Sequence, residues 1–120
     1  MKIAITSQGK NIDSKIDPRF GRAAYILIVD TSTKEVEALD NSENINAFKG
    51  AGIQAGVMIS EKKAEILLTG FCGPNAFKTL KAAGIKVAAN MTGTVKEALE
   101  AFNKGDISFV DEANAEGHHL

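Results

Sequence analysis

Apolar and polar residues alternate through residues 2–7, around Ile3 and Ile5. That period of two predicts a strand. Residues 8–22 lose the pattern. They are polar and hold Gly9, Asp17-Pro18 and Gly21, which predicts a loop. Loops this long in a small domain tend to carry function. Residues 24–30 are almost continuously apolar, as in a central strand buried on both faces. After a turn at 31–34, residues 35–40 set Val36 and Ala38 between acids and reach Leu39. This predicts an edge strand in a hairpin with its predecessor.

Residues 41–49 are polar again and predict a second loop. From 50 to 63 the spacing of Ile53, Val57 and Met58 becomes helical, and charges close the segment. A short buried strand over 65–69 and a glycine-bracketed turn over 70–73 follow. Residues 74–83 predict a helix with Phe77 and Leu80 inward. Pro74 suits its first position, where a missing N–H does no harm, and Gly84 suits its C-terminal cap. Residues 85–88 read as a strand and 90–93 as a turn. Residues 94–103 predict a helix with Val95, Ala98, Leu99 and Phe102 on one face. Thr94 and Glu97 have capping-box spacing, so each can satisfy a backbone N–H beside the other. Gly105 ends this helix. No repeat and no low-complexity segment interrupts the pattern.

The predicted order is β-β-β-α-β-α-β-α. The first three strands form an antiparallel meander, and the last two arrive through right-handed helical crossovers as parallel strands. A mixed five-stranded α/β sheet with helices on both faces is the natural packing. With the first strand central, its order is 3-2-1-4-5. Residues 1–110 make one domain and 111–120 a polar, flexible tail.

Composition narrows the function classes. The 120 residues, 44% of them hydrophobic, suffice for one core without staples. The single cysteine, Cys72, excludes an intrachain disulfide and zinc sites that need several cysteines. A formal net charge of −1 argues against a general nucleic-acid binder. No apolar run approaches the length that spans a bilayer, and the first residues read as a strand rather than a signal segment. A cytoplasmic protein with neither nucleic acid nor membrane as partner is the expectation.

The topology points to a site. In open α/β sheets ligands collect beyond the carboxyl ends of the parallel strands, near a switch in strand order. Loops 8–22, 41–52, 70–75 and 90–94 all meet at that end, and so do the N-termini of the three predicted helices. Helix N-termini favour anions. Lys10, Arg19, Arg22 and Lys49 lie on these loops, so an anionic ligand is expected. Gly50-Ala51-Gly52 lacks the Lys-Ser/Thr of a nucleotide loop; it serves either anion approach or a tight start to a helix. Cys72, just before a helix, is either a stabilised thiolate that ligates metal or an inert core thiol. His118 and His119 are adjacent in the tail, as metal ligands or as solvated residues. No histidine accompanies a serine nucleophile, and the first strand carries no acid, which disfavours a two-metal nuclease.

An ordered set of short motifs adds to this reading. It runs Lys2-Ile3-Ala4-Ile5, Phe20-Gly21-Arg22, Gly50-Ala51-Gly52-Ile53-Gln54-Ala55, Gly73-Pro74-Asn75-Ala76, Ala83-Gly84-Ile85-Lys86-Val87 and Gly93-Thr94-Val95. The set resembles the dinitrogenase iron–molybdenum cofactor biosynthesis family. That resemblance implies a ribonuclease-H-like fold. It also implies a small non-catalytic protein that binds or carries an anionic metal–sulfur cluster of the iron–molybdenum type, or a precursor of one, with a donor or acceptor protein as partner. Members that handle the nitrogenase cofactor tend to offer a loop histidine; here the corresponding loop offers Cys72.

The expected contact set follows. Arg19 and Arg22 supply charge-assisted hydrogen bonds. Gly21, Gly50, Gly52 and Gly73 let backbone N–H groups approach, and Thr92 and Thr94 offer hydroxyls. Phe20, Asn75 and Gly93 belong to the same motifs. Cys72 is the candidate metal ligand, although a cradle of arginines and backbone donors suits reversible cargo better. The alternative is a regulatory module that binds a phosphate-bearing metabolite or a partner protein.

Overall fold

A computed structural model of the chain describes residues 1–46 and 50–113. Its strands are β1 (Lys2–Ser7), β2 (Tyr25–Asp30), β3 (Val36–Asp40), β4 (Ala64–Leu68) and β5 (Lys86–Ala88). Its helices are α1 (Ser42–Ile45), α2 (Ala51–Glu61), α3 (Pro74–Ala82) and α4 (Val95–Asn103). One five-stranded sheet runs β3-β2-β1-β4-β5. β1 pairs antiparallel with β2 and parallel with β4, and β4 pairs parallel with β5. This is the predicted mixed α/β sheet and strand order.

Period-two alternation along the central strands sends neighbouring residues to opposite faces. Ala4, Ile26, Ile28, Leu67 and Val87 meet Ala55 and Ile59 of α2 and Ala76 and Leu80 of α3. Ile3, Ile5, Leu27, Val29, Ile66 and Leu68 meet Val95 and Ala98 of α4. Helices therefore cover both faces, and β2 is buried on both, as its apolar run predicts. Val110 donates its N–H to Val87 O (2.8 Å), which binds the chain after α4 to the β5 edge. Among the described residues no helix is long and apolar enough to cross a membrane.

Two expectations change. The polar segment after β3 contains the one-turn helix α1, which sequence periodicity is too short to reveal. The inward face of α2 is Ala55, Gly56 and Ile59, while Val57 is exposed. Small residues decide this face because α3 packs close. A Cβ on Gly56 would lie 3.1 Å from Thr79 Cγ2, and one on Gly52 would lie 2.7 Å from Ala76 Cβ. A hydrophobicity pattern weights Val57 and overlooks glycine. The tail beyond residue 113, with His118 and His119, and Lys49 lie outside the described residues.

Candidate functional site

An open cavity of about 180 Å³ lies between the N-termini of α2 and α3. Three segments line it: Gly21-Arg22 from the loop after β1, residues 50–53 at the start of α2, and Gly73, Asn75 and Ala76 at the start of α3. Close backbone approach builds it. A Cβ on Gly21 would sit 2.6 Å from Gly52 N, so only glycine lets the first loop lie on α2. Gly50, the N-cap of α2, holds φ at 73°, a left-handed conformation that glycine adopts without strain. Neither α2 nor α3 has a side-chain cap or an acid in its first turn. The first N–H groups of a helix have no partner within it. Those of Ala51, Gly52, Ile53, Asn75 and Ala76 find no other acceptor among the described residues.

Two buried polar residues hold the Gly21-Arg22 segment. Asp17 accepts the N–H of Arg19 at Oδ1 and of Ala24 at Oδ2, both at 3.2 Å. Asn41 donates Nδ2–H to Gly21 O (3.2 Å) and Ala23 O (2.8 Å). Asn44 in turn donates to Asn41 Oδ1 at 2.7 Å. Sequence reasoning missed both supports. Asp17, before a proline in a loop, carries a turn signal, whereas Asn41 carries none beyond being polar at a strand end. Arg22 is exposed at the cavity and has no side-chain partner among the described residues.

The other expected contacts lie elsewhere. Phe20 is fully buried in the core beneath α2 and α3, where it anchors the loop. Cys72 is 0% exposed in that same core. Of the two readings of this thiol, burial favours the inert core one: it pushes the thiol up to about 12, because a charged sulfur would lose its water. Arg19 pairs in a parallel bridge with Phe71 and is not part of the cavity wall. Lys10 lies 5.8 Å from the ring centroid of Tyr25.

Thr92, Gly93 and Thr94 belong to the opposite face of the sheet. The start of α4 is closed by the protein itself. Glu97 N–H donates to Thr94 Oγ1 (3.1 Å) and Thr94 N–H to Glu97 Oε1 (3.0 Å), completing the capping box. Val95 N–H goes to Ser14 O and Lys96 N–H to Ile12 O. Gly93 O accepts from Ile16 N–H. The single convergence of three helix ends expected from topology is therefore a convergence of two. The third end crosses to the other face and spends its donors on loop 8–16. The cavity combines the helix-start N–H donors and the Arg22 guanidinium with the Asn75 amide and the apolar Ala51, Ile53 and Ala76. Among the described residues no cluster of three histidine, cysteine or acidic side chains could hold a metal ion.

Comparison with known proteins bears on this geometry. The chain is 41% identical to the orange protein of Desulfovibrio gigas, solved in its apo form, with a TM-score of 0.92 over 95% of this chain and 96% of that one. It is 39% identical to a Thermotoga protein of the DUF35 family, provisionally named a NifB protein, with a TM-score of 0.83 over 97% and 98% of the two chains. It is also 26% identical over 109 residues to an uncharacterised protein of Methanocaldococcus jannaschii, across 89% of each. Residues 1–105 match the family model described as dinitrogenase iron-molybdenum cofactor. Motif order, sheet order and this match agree: the chain belongs to the dinitrogenase iron–molybdenum cofactor family.

Proposed function

We propose that the chain is a non-catalytic carrier for an anionic metal–sulfur cluster of the iron–molybdenum type or a precursor of one. The cargo sits in the cavity between α2 and α3. The observation that carries this reading is the pair of uncapped helix N-termini facing one cavity beside Arg22. The N–H groups at these ends, two helix dipoles and a guanidinium favour negative charge. Gly21, Gly50, Gly52 and Gly73 keep the backbone near the cargo, and Asn75 adds an amide side chain. Sulfur or oxygen atoms at the cluster's periphery accept these hydrogen bonds. Cys72 forms no bond to the cargo in this reading. Several reversible contacts also suit a protein that must release what it holds to an acceptor, or take it from a donor.

Family membership and the likeness to a protein solved in an apo form support this reading. The ribonuclease-H-like label and a cytoplasmic location belong to the same proposal. A lone buried thiol suits a reducing compartment.

The test is anaerobic titration with tetrathiomolybdate, followed by its charge-transfer absorbance and by thermal unfolding. Binding at a hundredfold excess over Kd stabilises the folded chain by about 2.7 kcal/mol. Saturable uptake with a raised Tm is expected. Molybdate, inorganic phosphate and nucleotides serve as competitors. Stabilisation by phosphate or nucleotides alone, with no uptake of thiomolybdate or of a supplied cluster, would overturn the carrier reading in favour of a metabolite-binding module.

A further inference from the structure

Arg19 and Arg22 are three residues apart, yet they face different parts of the molecule. Phe71 N–H donates to Pro18 O (2.6 Å) and Phe20 N–H to Phe71 O (3.1 Å), which fixes Arg19 opposite Phe71 in a parallel bridge. Side chains alternate along extended backbone, and paired residues share a side. Phe20 and Cys72, the next residues on the two segments, both enter the core beneath α2 and α3. Arg19 and Phe71 therefore share the other side, away from that core and outside the cavity wall. Both are exposed, Phe71 at 43%.

Their backbone is tied down. Asp17 Oδ1 holds the Arg19 N–H. A Cβ on Gly70 would lie 2.6 Å from Pro18 O, so glycine alone permits this contact. On the far side, Asn90 N–H donates to Gly70 O (2.8 Å) and Met91 N–H to Thr69 O (3.0 Å). Arg19 has no side-chain partner among the described residues. An aromatic ring and an unpaired guanidinium on a rigid backbone are what interface hot spots are made of, because little freedom is lost when a partner covers them.

Charge indicates what covers them. Lys15 and Lys96 are exposed on the adjoining loop and first turn of α4, and Arg22 borders the cavity. The acids of these segments are Asp13, Asp17 and Glu97; the carboxylates of Asp17 and Glu97 are turned onto backbone N–H groups of the chain itself, which leaves the guanidinium of Arg19 unopposed by either. With Lys15, Arg19, Arg22 and Lys96 against Asp13, Asp17 and Glu97, these segments carry a small positive excess in a chain whose net charge is −1.

We infer that Arg19 and Phe71 form the centre of a docking surface for a protein partner that presents a carboxylate beside an apolar pocket. The carboxylate pairs with Arg19, and the pocket takes the Phe71 ring. Such a partner sits next to the mouth of the cavity. Only its identification as the protein that gives or takes the cargo rests on the carrier reading.

Replacement of Phe71 by photoreactive benzoylphenylalanine in the full chain, irradiated in its native host, identifies the neighbour by mass spectrometry. That protein is then purified and titrated against the wild type and the variants Arg19→Glu and Phe71→Ser. Each variant is expected to weaken binding at least tenfold. Reversal of the partner's carboxylate to lysine is expected to restore the Arg19→Glu chain. Both variants are expected to take up tetrathiomolybdate within twofold of wild type. No adduct at position 71, an adduct only to a second copy of this chain, or unchanged affinity in both variants overturns the docking surface. Loss of thiomolybdate uptake in Arg19→Glu also overturns it and assigns Arg19 to the cargo. Failure of wild type to take up any cargo sinks the carrier reading alone, because partner binding is measured separately.

Discussion

At the start of α4, three consecutive backbone donors are already engaged: Val95 N–H with Ser14 O, Lys96 N–H with Ile12 O, and Glu97 N–H with the Thr94 hydroxyl. At the starts of α2 and α3, glycine stands at the N-cap, no side chain among the described residues caps the helix, and donors without an acceptor among those residues border an open cavity beside Arg22. All three helices carry the same dipole. What differs is whether the protein has already satisfied it. A helix N-terminus recruits an anion only where neighbouring loops leave its donors vacant and leave room for the ligand. Here the loop after β1 does both jobs: its first half closes α4 and its Gly21-Arg22 end opens onto α2.

The sharpest way to break this contrast is Arg22→Ala. Loss of a charge-assisted hydrogen bond is worth about 1.5–3 kcal/mol, a weakening of about 10- to 150-fold in thiomolybdate affinity. Arg22→Lys should recover only part of it, because an ammonium lacks the planar fork. Near-wild-type affinity in Arg22→Ala would remove the side-chain half of the cradle.

Gly21→Ala probes the backbone half. The new Cβ would collide with Gly52 N, whose backbone cannot yield as a side chain would. Overpacking of this kind destabilises by about 1–3 kcal/mol, read as a lower urea midpoint with an unchanged slope. Cargo affinity should fall with it. Full stability would mean that the loop and α2 do not need their close approach.

Cys72 asks whether the open end uses a thiolate. Its thiol is raised by burial from 9.0 to about 12, so the folded state holds its proton longer than the unfolded state does. Stability from this group is fully present below pH 9 and is lost as pH rises towards 12. By pH 10 the loss is on the order of 1 kcal/mol. Chemical denaturation at pH 8 and pH 10 should show a smaller decline in Cys72→Ala than in wild type, and the variant should bind thiomolybdate normally at pH 8. Abolished binding in the variant would replace the cradle with a covalent ligand.

Thr94→Ala tests the closed end and has the smallest expected effect. Loss of an N-cap destabilises by about 0.5–2 kcal/mol, visible in thermal unfolding, while thiomolybdate affinity stays within twofold of wild type. A tenfold change in affinity would bring the α4 end back into the site.

Much of this was legible along the chain, for reasons tied to range. Strand alternation, the doubly buried β2, the proline and glycine punctuation of α3 and the Thr94–Glu97 box all depend on neighbours within a few positions. The meander and the parallel pairing followed from short connections and a chirality rule, and the sheet order from these once the first strand is placed centrally. The inward face of α2 was not legible, because Gly52 and Gly56 matter through what α3 brings against them. Nor was the burial of Cys72, since only the pairing of residues 19 and 71 turns it and Phe20 into the core. Asn41 acts through carbonyls about twenty positions away, at Gly21 and Ala23.

The amino-acid sequence by itself determined the five strands, the three longer helices and the end of the sheet at which the glycine-bearing loops gather, because backbone periodicity and local capping are short-range properties. Tertiary structure alone decided which helix ends remain open, and it separated Arg19 from Arg22. Both outcomes depend on hydrogen bonds and side-chain directions set between segments distant in the chain: residues 12–14 with 95–96, and 18–20 with 71. No spacing along one segment encodes where another will dock.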